Sequence, residues 1–360
     1  MFQAFKRVRP KPPKLSKKQD RVWHRRLVLA ITLTLGMGIV EPALNPPAAE
    51  AACFFWQACA RRRGQATNTR AGGKRTGRII GGNDATIPYV ISPRNAWIRE
   101  PSLNHPYTIR WNLVEGVNSY TVRLWRWTFE RDQPDQTLWQ LTVTDTNQIS
   151  FPRQVSLEPG DYYSIEIVTD TGISSNLDDG YYQSGFQLLF EEDYEVLRSQ
   201  LTEVTPIVAA DATPTAGEII EEAALATAGV FFLEEMYADA LAVLQPLTEH
   251  STASNLVYTA LGDTYSQSGL NQLAIAAYEQ ALKLATDSSN YDLLSEAIIR
   301  VNLADVYATL GLFDNALEEL RDARKAYEKL QEETEIARLD RRIQIIDSRL
   351  LRQSETESTP

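Results

Sequence analysis

Histidine and cysteine are scarce in this chain, at three and two among 360 residues. They are scattered, and no familiar spacing assembles a structural zinc site from them. Glycine loops of the Walker or dinucleotide-binding type are missing too, so neither a metal nor a cofactor is expected. The body of the chain is also poor in positive charge. Residues 1–78 hold 17 Lys and Arg against Asp20, Glu41 and Glu50, which leaves 19 basic and 44 acidic residues for 79–360. A body at −25 with no basic patch in its sequence excludes nucleic acid as an expected partner.

What is present begins with an export pattern. Ten Lys and Arg stand in residues 1–26, followed by the uncharged run Leu27–Val40 and the small-residue stretch Ala48-Ala49-Glu50-Ala51-Ala52. Basic, then apolar, then small is the order of a signal peptide, and Ala49-x-Ala51 is a cleavage site before Ala52. Fourteen residues rise only about 21 Å as a helix, short of the roughly 30 Å hydrocarbon core. Residues 1–51 are therefore expected to be a cleaved signal or an N-terminal anchor. Either way the body is exported to the periplasm or envelope and meets the membrane only through that segment. Cys53 and Cys59 lie just beyond. A small-loop disulfide, free thiols and lipid attachment at Cys53 all remain open for them. Residues 52–87, with Arg61-Arg62-Arg63-Gly64, Gly72-Gly73-Lys74-Arg75 and Gly81-Gly82, read as a basic glycine-rich linker.

Residues 88–190 alternate apolar and polar positions in short runs broken by Pro, Gly, Asn and Asp, the pattern of an antiparallel sandwich. Strands are expected at 108–112, 119–129, 137–144, 161–169 and 181–190. Two stretches carry a resemblance. Ile109-Arg110-Trp111, then Gly116, then Tyr120–Leu124 offer a core tryptophan, a turn and a tyrosine opening the next strand. In Leu157–Ile167, the residues Leu157, Tyr163, Ile165 and Ile167 have core spacing. Together they resemble a fibronectin type III or related immunoglobulin-like domain. The resemblance implies that the Tyr163 hydroxyl bonds back to nearby backbone. In strand 119–129, Tyr120, Val122 and Leu124 share one face, while Arg123, Trp125, Trp127 and Phe129 share the other. That second set is either an aromatic platform for a glycan or a protein, or is covered by Trp139 and Leu141 or by the helices.

Arg78-Ile79-Ile80-Gly81-Gly82-Asn83-Asp84-Ala85 resembles the activation junction of trypsin-like serine proteases. That chemistry needs a His base, an orienting Asp and a Ser nucleophile. His105 lacks the family's surrounding residues, and no Gly-Asp-Ser-Gly occurs, so catalysis is not expected.

From residue 191 the periodicity becomes helical. A short helix (190–201) and linker fill 191–215, and repeats fill 216–330. A charged capping helix is expected at 331–352 and a disordered tail at 353–360. Tyr258, Leu261, Gly262, Tyr265, Gly269, Ala274, Tyr278, Ala281 and Leu282 form one unit. Leu303, Ala304, Tyr307, Gly311, Ala316, Leu320 and Ala323 form a second. Ala228, Phe231, Ala240 and Leu244 form a weaker first unit, with Glu235 in place of its turn glycine. Ala240 and Ala274 lie 34 residues apart, and Ala274 and Ala316 lie 42 apart. This pattern is similar to the tetratricopeptide repeat, an α-solenoid of helical hairpins that stack to bury each other's apolar faces. The family's inward helix face maps onto Phe232, Leu256, Thr259, Asp263, Gln267, Val301, Asp305 and Thr309. With so little Lys or Arg, that groove is expected to take a neutral or basic protein segment rather than a C-terminal carboxylate, unless these positions merely dock the β-sandwich. The whole resembles exported cyanobacterial proteins of the same build. The expected function is a non-enzymatic exported scaffold or adaptor. The alternative is a glycan- or wall-binding module in which the repeats are structural.

Overall fold

The structure is a computed structural model that describes residues 80–102, 107–127, 136–181, 184–207, 216–249, 254–287 and 291–357. The export pattern, Cys53, Cys59, most of the linker and Phe129 lie outside the described residues. Among the described residues no helix is long and apolar enough to cross a membrane.

Among the described residues, eight strands form the first half: β1 (Val90–Ser92), β2 (Ala96–Ile98), β3 (Thr108–Trp111), β4 (Ser119–Arg126), β5 (Gln136–Thr144), β6 (Gln148–Ser150), β7 (Tyr162–Thr169) and β8 (Phe186–Leu188). They build a three-stranded sheet in the order β1-β3-β6 and a five-stranded sheet in the order β2-β8-β7-β4-β5. All neighbours are antiparallel except β2 and β8. The period-two pattern of β4 drives Tyr120, Val122 and Leu124 inward, and Tyr163, Ile165 and Ile167 of β7 join them. Val90, Ile109, Trp111 and Phe151 close the same core from the smaller sheet. The Tyr163 hydroxyl accepts from the Glu158 backbone N–H at 2.7 Å, so the residue does bond back to nearby backbone. The strand expected at 181–190 shrinks to β8, and β4 ends before Trp127. The three-residue strands β1, β2 and β6 carry too few positions to show an alternation.

Eight helices follow among the described residues: α1 (Glu191–Ile207), α2 (Ala216–Leu233), α3 (Tyr237–Thr248), α4 (Asn255–Gln267), α5 (Asn271–Ala285), α6 (Leu293–Thr309), α7 (Phe313–Leu330) and α8 (Glu333–Glu357). α2/α3, α4/α5 and α6/α7 are hairpins, and successive hairpins pack on one another. Small residues permit the close crossings. A Cβ on Gly262 would stand 2.5 Å from the Tyr278 ring, and Ala274, Ala304 and Ala316 are fully buried. α1 is longer than expected and caps the first hairpin, with Leu197 buried beside Leu225 and Phe231. α8 packs on α7. It runs through 353–357, where the tail was expected, and 358–360 lie outside the described residues.

The β domain is seated on the edge of the helical stack. Arg94, 2% exposed, is the centre of the joint. Its guanidinium pairs with Asp178 at 2.9 Å and donates to the carbonyls of Val90 and Ser268. Asn95 donates to the Gln267 carbonyl at 2.9 Å. Gly81 forms a parallel bridge with Leu270, and the Gly82 N–H donates to Asp178 at 2.7 Å. The linker expected over 52–87 therefore ends earlier, because Gly81 and Gly82 are buried parts of this joint. The glycine pair of the protease-like junction has a packing reason here. A Cβ on Gly81 would stand 2.1 Å from Arg94 Nη2. A second set of bonds falls on α3. Arg99 pairs with Asp239, and Tyr107 donates to the same carboxylate at 2.7 Å. The Arg99 guanidinium lies 5.4 Å from the Phe231 ring centroid, within cation–π range. Apolar packing crosses in both directions: Ala238 of α3 enters the β core, and Trp97 and Leu189 pack with the helical cluster.

Candidate functional site

The first helices of the hairpins form a row, α2 against α4 and α4 against α6. The row carries Phe232, Leu256, Thr259, Gln267, Val301, Asp305 and Thr309, all half-buried. Leu256 and Phe232 pack at the margin of the cluster under the first two hairpins, and Val301 at the margin of the one under the third. The Phe232 ring meets Tyr237 edge-on with centroids 5.7 Å apart. The hydroxyls of Thr259 and Thr309 donate to the carbonyls four residues back, Asn255 and Asp305. With its hydroxyls bonded within their own helices, the row offers mainly apolar and neutral side chains beside Asp305.

Two acids of the row do something other than line a groove. Asp263 is 3% exposed, which corrects its assignment as a lining residue. Its carboxylate accepts from the Tyr278 hydroxyl of α5 at 2.5 Å and from the Asn302 amide of α6 at 3.3 Å. The position that faces a ligand in the repeat pattern here ties three helices together. A buried carboxylate needs such donors, because leaving it unbonded would cost several kcal/mol, about 1–3 or more. Asp305 pairs with Arg342 of α8 at 2.5 Å. The groove thus gains a cation that the sequence pattern did not place there. Arg342 is one of several charges on a helix whose rotation about its axis only packing against α7 determines. Gln267 lies at the end of the row, where its carbonyl is held by Asn95 of the β domain.

The other sequence-derived surface is the outer face of the larger sheet. Arg123 and Trp125 are opposite the core face of β4, and both are half-buried. Trp139 and Leu141 do not cover them. They pair with Leu124 and Val122, so they belong to the core side of the sheet. What meets the aromatics is polar. Glu166 of β7, buried, accepts from Arg123 at 3.2 Å and from Trp125 Nε1 at 3.3 Å. Its other oxygen accepts from Ser174 and Asn176. Trp127 Nε1 donates to Ser164 Oγ at 2.8 Å, and its ring packs edge-on to Tyr162 with centroids 6.4 Å apart. Glu166 satisfies four donors, two on β4 and two at the 174–176 turn, which holds the face in place.

Residues 251–329 match the tetratricopeptide repeat family, over the second and third hairpins. Repeats of this family mediate protein–protein interaction. Among solved structures, BtubC (BKLC) from P. vanneervenii is similar at 19% identity and a TM-score of 0.35, over 43% of this chain. The chain spans 65% of that structure's length, just under two thirds, and no inference rests on that likeness. No match was found among curated proteins.

Proposed function

We propose that this protein is a non-enzymatic, exported scaffold or adaptor that binds an extended protein segment on the inner row of its repeats. The observation that carries the proposal is where the β domain sits. Its bonds to the repeats fall on α3 and on the turns at 235 and 267–270, reaching the row at its end, Gln267, rather than at Leu256, Thr259 or Val301. Half-buried apolar and hydroxyl side chains on rigid helices suit a segment held by backbone and apolar contacts. Pairing of Asp305 with Arg342 favours a neutral segment over a strongly basic one. The buried carboxylates Asp178, Asp239 and Asp263 are all engaged in joining elements, which supports a structural rather than a catalytic use of them.

The β domain is proposed to be fibronectin type III-like. The pairing of a three-stranded β1-β3-β6 sheet with β5-β4-β7-β8 supports this, as does the Tyr163 contact. Export rests on the order of residues 1–51 alone. A second reading, glycan or wall binding, is favoured by the outward placement of Trp125 and Trp127. The test is a fluorescence-polarisation screen of the full chain with labelled peptides of graded charge, beside a tryptophan-fluorescence titration with oligosaccharides. Neutral and mildly basic peptides should bind, and Thr259→Lys combined with Val301→Lys should abolish binding without changing the melting profile. Binding that survives this double change removes the groove. A tryptophan response to oligosaccharide that Trp125→Ala abolishes establishes the second reading instead.

A further inference from the structure

The outer edge of β5 is a long edge of the β domain. β5 is the last strand of the five-stranded sheet, and among the described residues nothing pairs with its far side. Natural edges are guarded by Lys, Pro, inward charges or shortness. β5 has little of this: nine residues, Gln-Thr-Leu-Trp-Gln-Leu-Thr-Val-Thr, without a charge, a proline or a glycine. Its one irregularity is the extra residue Leu138, since the register passes from Leu124↔Trp139 to Trp125↔Thr137. From Trp139 to Thr144 the ladder is regular. Leu141, on the core side of the sheet, is still 44% exposed because no further strand extends the sheet over it.

We propose that β5 pairs antiparallel with β5 of a second copy of this chain, joining two five-stranded sheets into one, with Leu141 on the two-fold axis. This surface is separate from the inner row of the repeats. The strand's own symmetry of character favours self-pairing. Centred on Leu141, the register sets Trp139 against the copy's Val143, Gln140 against Thr142, and Leu141 against itself. Because side chains alternate with period two, this register keeps core-side residues against core-side residues. An aromatic opposite a β-branched residue is a favourable cross-strand pair. No charge opposes the approach, although the chain as a whole is acidic at −11. The size of the contact sets its strength. Nine residues a side fall short of the roughly 20–30 of a standard stable interface, so the dimer is weak and concentration-dependent.

Light scattering across a dilution series of the full chain tests this. The expected result is a rise from monomer to doubled mass with concentration. Leu141→Lys, which places two like charges on the axis, should hold the chain at monomer mass with an unchanged circular-dichroism melt. The register has its own readout. In a background with Cys53→Ser and Cys59→Ser, chains carrying Gln140→Cys and chains carrying Thr142→Cys should form a disulfide-linked dimer when mixed, well above the level either forms alone. Paired strand positions lie within the Cα spacing that a disulfide spans. Monomer mass at every concentration, a dimer that Leu141→Lys leaves intact, or no cross-link specific to the mixture would each overturn the proposal. Capture of an extended peptide by the β5 edge of a monomeric chain would overturn it in favour of a heterologous strand.

Discussion

Met236, Leu270 and Leu312 occupy the same place in the three hairpins, immediately before α3, α5 and α7. Each donates its N–H to a carbonyl five residues back, Phe231, Tyr265 and Tyr307. Each follows a residue of positive φ: Glu235 at 62°, Gly269 at 76° and Gly311 at 76°. Locally the three turns are alike. Their exposure is not: Met236 and Leu270 are 0% exposed and Leu312 is 45% exposed. The first two turns lie under the β domain, where Trp97 donates its N–H to the Glu235 carbonyl and Gly81 bridges to Leu270. The third extends past it. A repeat position therefore has no fixed burial of its own, and the neighbour that docks decides whether an apolar side chain there stabilises the fold.

The sharpest way to break that comparison is at the joint's centre. Arg94→Ala leaves Asp178 buried without its cation, and chemical denaturation should register a loss of about 3–5 kcal/mol. Next, Leu270→Ala should cost about 2–5 kcal/mol, while Leu312→Ala should stay within about 0.5 kcal/mol. Equal losses at the two positions would mean that the β domain is not what buries Leu270. Gly81→Ala should cost about 1–3 kcal/mol, because its new methyl group meets a guanidinium that three bonds hold in place.

Tyr107→Phe should cost about 1 kcal/mol and change the response to alkali. Burial, and then the Asp239 carboxylate beside it, push the Tyr107 phenol above its ordinary value of 10.0. The neutral phenol is the form the folded state favours. Its contribution is therefore complete below the unfolded value and is lost as pH rises through the folded one. Thermal melts should show an alkaline loss of stability that the Phe variant lacks. The smallest effect runs the other way. Glu235→Gly relieves a non-glycine residue at positive φ and should stabilise by up to about 1 kcal/mol, read as a small rise in melting temperature.

The helical hairpins were legible because each carries its signal within about 34 residues. Gly262 and Ala274, Tyr258 and Tyr278 recur at spacings that one helical crossing demands, and the structure places them at that crossing. β4 and β7 were legible for the same reason, since eight residues suffice to show an alternation. The inner row was only partly legible. Spacing places Thr259 and Val301 on the inner helix face, and it places Asp263 there too. Whether that face meets solvent depends on the reach of Tyr278 and Asn302, which belong to other helices. Alternation separates the Trp125 face from the core face of β4, but it leaves open whether Trp139 and Leu141 cover that face, and their pairing with Leu124 and Val122 puts them on the other side. The bulge at Leu138 and the β4–β5 register decide that, and neither is a property of one strand.

By itself, the sequence determined the local periods: the longer strands β4, β5 and β7, the helical hairpins, and which small residues let helices cross. These follow from interactions between residues close in the chain, so a short window contains them. Only the tertiary structure decided that Gly81-Gly82 belongs to a buried joint, that Arg342 enters the inner row, and that two of three equivalent turns are covered. The bond from Arg94 to the Ser268 carbonyl joins residues 174 apart, and no periodicity spans that distance. Such contacts are selected by how two finished surfaces fit, which depends on shape and on satisfying every buried polar group at once.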